Sequence, residues 1–343
     1  MKNINNKLII KKDSLLFYSY VIIMWIFFAF NYLNADYKNY ESLYNIMASG
    51  IKDIGIEKGF SLLISIVQMI TLEFKYFHVV LATIFMIIIV MFINKFAEQR
   101  LFVLVLYSVF PFILETIQVR SALADCVMLY AFMVLLKVEE REKLKKNSII
   151  YVIVVLIASQ FHTSAIAYTL FMLILFNEKV LEVIVGFGLG IELIALFFRN
   201  QLILLIAYIF PKGGVYISNG LWNTKLGTKI LFFIVVVSIP FVLKKLIYSE
   251  YYPQSRLIYK ISLISALYYI LFCIDVDFFR LYRNCFLYIY IGVSNCLHNM
   301  KNNKVKYLCY IILMICVFLI NYAFIAFDSQ NIYNIVHYNT LWK

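Results

Sequence analysis

A chain of 343 residues would ordinarily hold about two or three soluble domains, but 64% of these residues are hydrophobic and only 15% are charged. Soluble domains carry roughly 25% charged and about 45–50% apolar residues, so the composition excludes a soluble enzyme, a disordered chain and a secreted disulfide scaffold, and makes lipid the solvent. The formal charge of +12 is divided into short clusters between apolar runs, with no continuous stripe for a phosphate backbone to follow, which excludes nucleic acid as a partner.

In chain order, the first apolar run is Leu15–Leu33. It follows Lys11-Lys12 and leads into Asn34-Ala35-Asp36-Tyr37, which is not a small-residue cleavage site, so a spanning helix is predicted and not a cleaved signal. Gly59–Leu72 is apolar but short. Phe77–Ile93, Leu101–Gln118 and Ser121–Leu136 come next, and Ser148–Phe176 is interrupted at Ser159-Gln160-Phe161-His162-Thr163-Ser164. Val180–Phe198, Ile230–Leu243, Leu257–Ile274, Cys285–Leu297 and Tyr307–Phe327 complete the set. A helix needs about 20 apolar residues to cross ~30 Å of hydrocarbon.

Suppose that the amino terminus is cytoplasmic, that Gly59–Leu72 stops short of crossing and that Ser148–Phe176 makes two short helices. Then 19 of the 31 Lys and Arg residues fall inside, among them Lys137, Arg141, Lys143, Lys145 and Lys146, as the positive-inside rule requires. The expectation is an all-α polytopic protein of the bacterial cytoplasmic (inner) membrane, a single integral domain over 1–343. About 11 transmembrane helices are expected, within a range of roughly 10–12, some of them short or re-entrant. Residues 34–58 form the first outer loop and 199–229 a large outer loop, in which Gln201–Phe210 reads as a surface segment before the turn Pro211-Lys212-Gly213-Gly214. The six cysteines lie in or beside apolar runs without CxxC or Cys/His spacing, so neither a disulfide nor a metal is predicted. Gly186-Phe187-Gly188-Leu189-Gly190 follows no strand and is read as helix packing, not a nucleotide fingerprint. No cofactor is expected.

Ionisable groups at membrane depth are costly and face a cavity or a partner, and here they gather at the outer end. Tyr37, Tyr40 and Tyr44 have i, i+3, i+7 spacing, so one helical face presents three rings, either as an interfacial belt or as sugar-stacking groups. Asp36 and Glu41 accompany them, and Glu57-Lys58-Gly59-Phe60 marks the re-entry of the chain. Arg120 lies between two apolar runs with Glu115, Gln118, Ser121 and Asp125 nearby, and Asp125 is the candidate counter-ion. His162 sits at the polar interruption, and Glu192 within its span is read as a helix–helix hydrogen-bonding residue. Asp277, Arg280 and Arg283 recur every third residue. On a helix they share a face, where the arginines suit a phosphate and Asp277 orients Arg280.

Four of these segments occur in an order that resembles the EpsG family of bacterial polysaccharide polymerases, related to Wzy-type O-antigen polymerases. They are the early loop with Asp36, the tyrosines and Glu57-x-Gly59-Phe60; Gln118-x-Arg120-x-x-Leu-Ala124; Phe161-His162-x-Ser164-Ala165; and Arg280-x-x-Arg283. The usual proline before the glycine of the first motif is Lys58 here. The resemblance implies a GT-C-like membrane glycosyltransferase that needs no metal and joins undecaprenyl-pyrophosphate-linked oligosaccharide units at the outer face of the membrane. The product would be O-antigen, capsule or exopolysaccharide. In that reading Arg120, Arg280 and Arg283 hold pyrophosphate, and Asp277 and Asp125 orient them. Tyr37, Tyr40 and Tyr44 bind sugar, and His162, Glu57 or Asp36 takes the acceptor's proton. Donor and acceptor lipids, the bilayer, a flippase and a chain-length regulator are the implied partners. The competing readings are a lipid-linked oligosaccharide flippase or transporter, and a membrane glycan acyltransferase. A flippase should show repeat symmetry, which is not evident here. An acyltransferase should place a histidine and a carboxylate toward a cytoplasmic acyl donor.

Overall fold

The computed structural model describes residues 2–32, 34–51, 55–209, 226–247, 254–274 and 278–327. Every regular element among them is helical. Among the described residues, four helical stretches are long and apolar enough to cross a membrane: Phe74–Phe96, Val119–Glu139, Ser255–Cys273 and Asn303–Tyr322. The last is almost wholly uncovered by protein, with Ile311, Ile315, Phe318 and Leu319 each more than half exposed. An exposed apolar surface of this kind must be covered by lipid or by a partner, and with apolar helices of spanning length in a chain that is 64% hydrophobic the protein is a membrane protein.

The apolar runs and the helices coincide in place but not in extent. Helix α1 (Lys2–Ala29) begins well before the first run, because helix formation needs backbone propensity and not apolar side chains. The first loop holds a helix, α2 (Tyr37–Ala48), whose inward face is Tyr37, Tyr40, Tyr44 and Met47. Next, α3 (Lys58–Gln68) has 11 residues and so a length of ~16 Å, about half the hydrocarbon thickness. After α4 (Phe74–Phe96), the run Leu101–Gln118 divides into α5 (Arg100–Val109) and α6 (Phe112–Ile117) at Phe110-Pro111, since proline has no amide hydrogen to continue the ladder. Then α7 spans Val119–Glu139 and α8 Leu144–Ser159, and a 3₁₀ helix over Thr163–Leu175 follows the interruption. The two short helices expected from Ser148–Phe176 are thus present. Within the expected outer loop 199–229, Arg199–Ile209 is helical, residues 210–225 lie outside the described set, and a new helix begins at Leu226.

The chain divides into two compact units. One comprises Met1–Val134, Ile149–Ile166 and Leu297–Lys343; the other comprises Leu135–Ser148 and Ala167–Cys296. In the first, α1 packs along α4 and α5, and α2 packs on α3 and α4. Rings tie α1 to α4, with Phe28 and Phe85 edge to face at 5.4 Å, and the Trp25 indole N–H donates to Thr83 Oγ1 at 3.0 Å. The helix Asn303–Phe327 lies on α5, where Tyr310 Oη donates to Gln99 Oε1 at 2.6 Å.

In the second unit the helices Glu178–Ala195, Leu226–Ile247, Ser255–Ser265 and Tyr269–Ile274 pack together. Of the three glycines in the 186–190 stretch only Gly188 is at a close approach: a Cβ there would collide with Leu267, whereas Gly186 and Gly190 have open space. Among the described residues the most buried cation of this unit is Lys260, which is 2% exposed. Its ammonium donates to Glu139 Oε2 at 3.0 Å and to the carbonyls of Ile174 and Phe176 at 2.8 and 2.7 Å, so all three of its protons are used, as a buried ammonium requires. Arg256 bridges Glu139 and Glu178 at the same place.

Candidate functional site

The first unit brings three of the four sequence motifs to one point. Glu57 stands just before α3 with extended backbone (φ −62°, ψ 138°), and its carboxylate does not cap the helix. It reaches outward instead. Oε2 accepts from Arg120 Nη1 at 2.8 Å, and Oε1 accepts from the Thr163 backbone N–H at 3.1 Å and from Thr163 Oγ1 at 3.0 Å. One carboxylate therefore joins the entry to α3, the first turn of α7 and the break between α8 and the 3₁₀ helix.

The glycine of this motif has a steric reason. A Cβ built on Gly59 would lie 2.8 Å from the Gln160 carbonyl oxygen and 2.9 Å from its Cβ. The absence of a side chain lets the two segments close up until Phe60 N–H donates to Gln160 O at 3.1 Å. That bond sets the spacing that Glu57 and Thr163 use. Lys58, in place of the family's proline, precedes a position whose requirement is met by Gly59.

Arg120 is held from two sides. Its guanidinium carbon is 5.7 Å from the centroid of the Tyr40 ring, a cation–π arrangement, and Nη1 carries the Glu57 ion pair. Arg120 Nε is buried without a hydrogen-bond partner among the described residues. The ion pair itself is partly open, with 28% of the Arg120 side chain and 15% of the Glu57 side chain exposed. Burial works to raise the Glu57 pKa, but the Arg120 charge, the backbone amides of Glu57 and Thr163 and the proximity of His162 outweigh it and leave the carboxyl below its ordinary range. Tyr40 moves the other way: burial raises its phenol despite the Arg120 charge. His162 lies at the break, its Nδ1 2.6 Å from Ser164 Oγ and 3.2 Å from Ser164 N.

Several other predicted residues have partners of their own. Arg120 pairs with Glu57, 63 positions before it, and Asp125, expected as its counter-ion, is buried within α7 near Cys126. Asp36 precedes α2 without capping it through its side chain. The three-tyrosine face exists as spaced, but it packs against protein. Tyr37 meets Phe74 at 4.9 Å and His78 at 5.4 Å, and burial together with Glu41 pushes its phenol up to about 12. Tyr44 is fully buried, with its hydroxyl donating to Thr71 O at 2.7 Å. Of the three, Tyr40 is the one beside the ion pair. In the second unit, Arg280 and Arg283 belong to the short helix Phe279–Arg283, with Arg283 buried and Arg280 half-buried, while Asp277 lies outside the described residues. Thr163, and Gly59 as a spacing device, do not stand out in the sequence. The only signal for Thr163 is its place in a hydroxyl-rich break. Among the described residues no group of three or more His, Cys, Asp or Glu side chains converges as metal ligands would.

The model of the EpsG family matches residues 14–340, nearly the whole chain. The chain belongs to the EpsG family. Its Glu57, Arg120 and His162–Ser164 segments, far apart in sequence, are joined around one carboxylate. Membership points to an exopolysaccharide or O-antigen polymerase-like function, and hence to a glycosyltransferase-like membrane enzyme acting on lipid-linked sugars. No curated relative and no solved structure matches this EpsG-family chain.

Proposed function

We propose that this protein is a polysaccharide polymerase that joins undecaprenyl-pyrophosphate-linked repeat units at the outer face of the bacterial cytoplasmic membrane. The observation that carries the reading is the partly open Glu57–Arg120 pair with His162 beside it, in a chain of this family. Such a cluster offers a cation for phosphate and a carboxylate for a proton in one place. The finer architecture proposed with it is GT-C-like, with about eleven crossings and an outward-facing site.

In the transfer, the acceptor's hydroxyl oxygen forms a bond to the anomeric carbon of the growing chain. The bond from that carbon to the pyrophosphate oxygen breaks, and its electron pair leaves with the lipid pyrophosphate. The hydroxyl proton passes to a base on the protein, Glu57 or His162, with Asp36 the weaker candidate. The leaving group is already activated, so the protein's main task is to stabilise charge that builds on pyrophosphate. Arg120 is suited to this by its position. Arg280 and Arg283 are proposed as pyrophosphate ligands on sequence and charge alone. Tyr40, beside the guanidinium, is the tyrosine best placed to meet a sugar. A flippase and a chain-length regulator are the proposed functional partners.

The test is surface-glycan analysis in a deletion strain complemented with variants at normal expression. Loss of the gene should leave single repeat units on lipid carrier outside the membrane, and Arg120→Lys or Arg280→Ala should shorten or abolish polymer, since lysine lacks the planar fork. Repeat units trapped on the cytoplasmic side would instead identify a flippase, and polymer of wild-type length in Arg280→Ala would remove that arginine from the site.

A further inference from the structure

The 3₁₀ helix Thr163–Leu175 is 13 residues long, whereas such helices seldom exceed about three or four residues. Its packing gives the reason. Ala165, Tyr168, Phe171 and Ile174 are each no more than 3% exposed, and a helix with three residues per turn stacks every third side chain in a row parallel to its axis. In an α-helix the same row would be inclined by about 45° and could not stay buried along its length. The far end is secured as well. Lys260 Nζ donates to the Ile174 and Phe176 carbonyls at 2.8 and 2.7 Å, and Arg141 Nη2 donates to the Leu175 carbonyl at 2.7 Å.

The same geometry makes a second straight row. Ala167, Leu170 and Leu173 are half-buried at intervals of three. With Leu267, Ile270 and Leu271 they line an open groove of about 630 Å³, one wall of which belongs to a helical stretch of spanning length, Ser255–Cys273. From Ala167 to Leu173 the row runs about 12 Å without winding. At the Ala167 end, the Tyr268 hydroxyl donates to the Ala167 carbonyl at 3.0 Å, and the Tyr168 hydroxyl donates to the Leu281 carbonyl at 3.3 Å. Leu281 lies in the helix Phe279–Arg283, which packs on Ala266–Tyr268 and carries Arg280 and Arg283.

Resting on the polymerase reading, we infer that this groove seats the isoprenoid chain of the lipid-linked substrate, beside the arginines which that reading assigns to its pyrophosphate. A straight apolar furrow matches an extended hydrocarbon chain, which an α-helical surface would turn away from. Two guanidiniums three positions apart suit a doubly phosphorylated head better than the single phosphate of a bilayer phospholipid. The groove takes no part in bond making. It holds substrate and transition state alike, so its loss raises KM and spares kcat.

The test uses the full-length protein in phosphatidylethanolamine–phosphatidylglycerol vesicles, with undecaprenyl pyrophosphate as the probe. In photo-crosslinking from Leu170→p-benzoylphenylalanine, mass spectrometry of the adducts should show the isoprenoid enriched at least about tenfold over its share of the bilayer. Ile191→p-benzoylphenylalanine, at an exposed position that does not line the groove, should capture lipids in proportion to the bilayer. Leu170→Trp and Leu173→Trp, which fill the groove, should weaken probe binding about tenfold, the worth of roughly two buried methylenes. With lipid-linked repeat units they should raise KM by the same factor and leave kcat within about twofold, whereas Ile191→Trp should change neither. Adducts at Leu170 that match the bilayer composition would overturn the inference. So would wild-type probe affinity in a Leu170→Trp variant whose melt is unaltered. Failure of the wild type to form any polymer would instead overturn the polymerase reading, and the adduct composition would still decide what the groove holds.

Discussion

Adding one methyl group at Gly59 should disable the site without touching any of its functional groups. The Cβ of Gly59→Ala would lie 2.8 Å from the Gln160 carbonyl oxygen, whereas ordinary contact begins at 3.4 Å. The obstacle is backbone, so no rotamer change relieves it; α3 and the break at 160–162 must move apart. That displacement stretches the Phe60 N–H···Gln160 O bond, now 3.1 Å, and draws Thr163 from Glu57 Oε1, now 3.0–3.1 Å away. Overpacking of this kind costs typically about 1–3 kcal/mol, and each hydrogen bond lost adds about 1 kcal/mol. A melt of the purified protein should therefore shift downward. Misplacement of reacting groups by about 1 Å lowers rates by about 100-fold, so polymer formation should fall further than stability does. Gly186→Ala is the control, because an added Cβ there meets nothing within 4 Å. Wild-type melting and wild-type polymer in Gly59→Ala would refute the close-approach argument.

Other outcomes follow from single contacts. In a double-mutant cycle, Glu57→Gln and Arg120→Gln should each destabilise by about 1–3 kcal/mol, less than a fully buried pair because this one is partly solvated, and the double variant should cost clearly less than their sum; strict additivity would mean that the pair contributes nothing. The Glu57 pKa is lower in the folded protein than in the unfolded chain, so its stabilisation is complete above the unfolded value of about 4.3 and is lost as pH falls through the folded one. The melting-temperature gap between wild type and Glu57→Gln should accordingly close on acidification below that value, and a gap that widens would contradict the sign. Tyr44→Phe removes a buried hydroxyl bond to Thr71 O and should cost about 1–2 kcal/mol with unchanged polymer length, whereas loss of polymer from a normally stable variant would return Tyr44 to sugar binding. Lys260→Met leaves Glu139 without its buried ammonium and should destabilise by about 2–4 kcal/mol, which an unaltered melting curve would disprove.

Much of the candidate site is legible in the amino-acid sequence, and the limits are instructive. Glu57, Arg120 and His162 stand out because lipid tolerates few polar groups, so each one in or beside an apolar run signals a partner or a cavity. The spacing of Tyr37, Tyr40 and Tyr44 correctly places them on one helical face. It does not tell what that face meets: Tyr44 goes to the core while Tyr40 goes to Arg120. Asp125 is the natural counter-ion for Arg120 by proximity in sequence, but the pair forms with Glu57 across 63 positions.

Composition alone determined that lipid surrounds this chain, because 64% hydrophobic residues cannot be hidden from water within one fold. Local pattern determined where helices run and where they break, since propensity, proline and polar interruption act within a few residues. Only the tertiary structure decided that Glu57 links Arg120 to Thr163 and that Gly59 is a point of backbone contact. Hydrogen bonds and van der Waals contacts act over a few ångströms, and between residues 63 to 106 positions apart that distance is set by the packing of whole helices, which no spacing in the chain records.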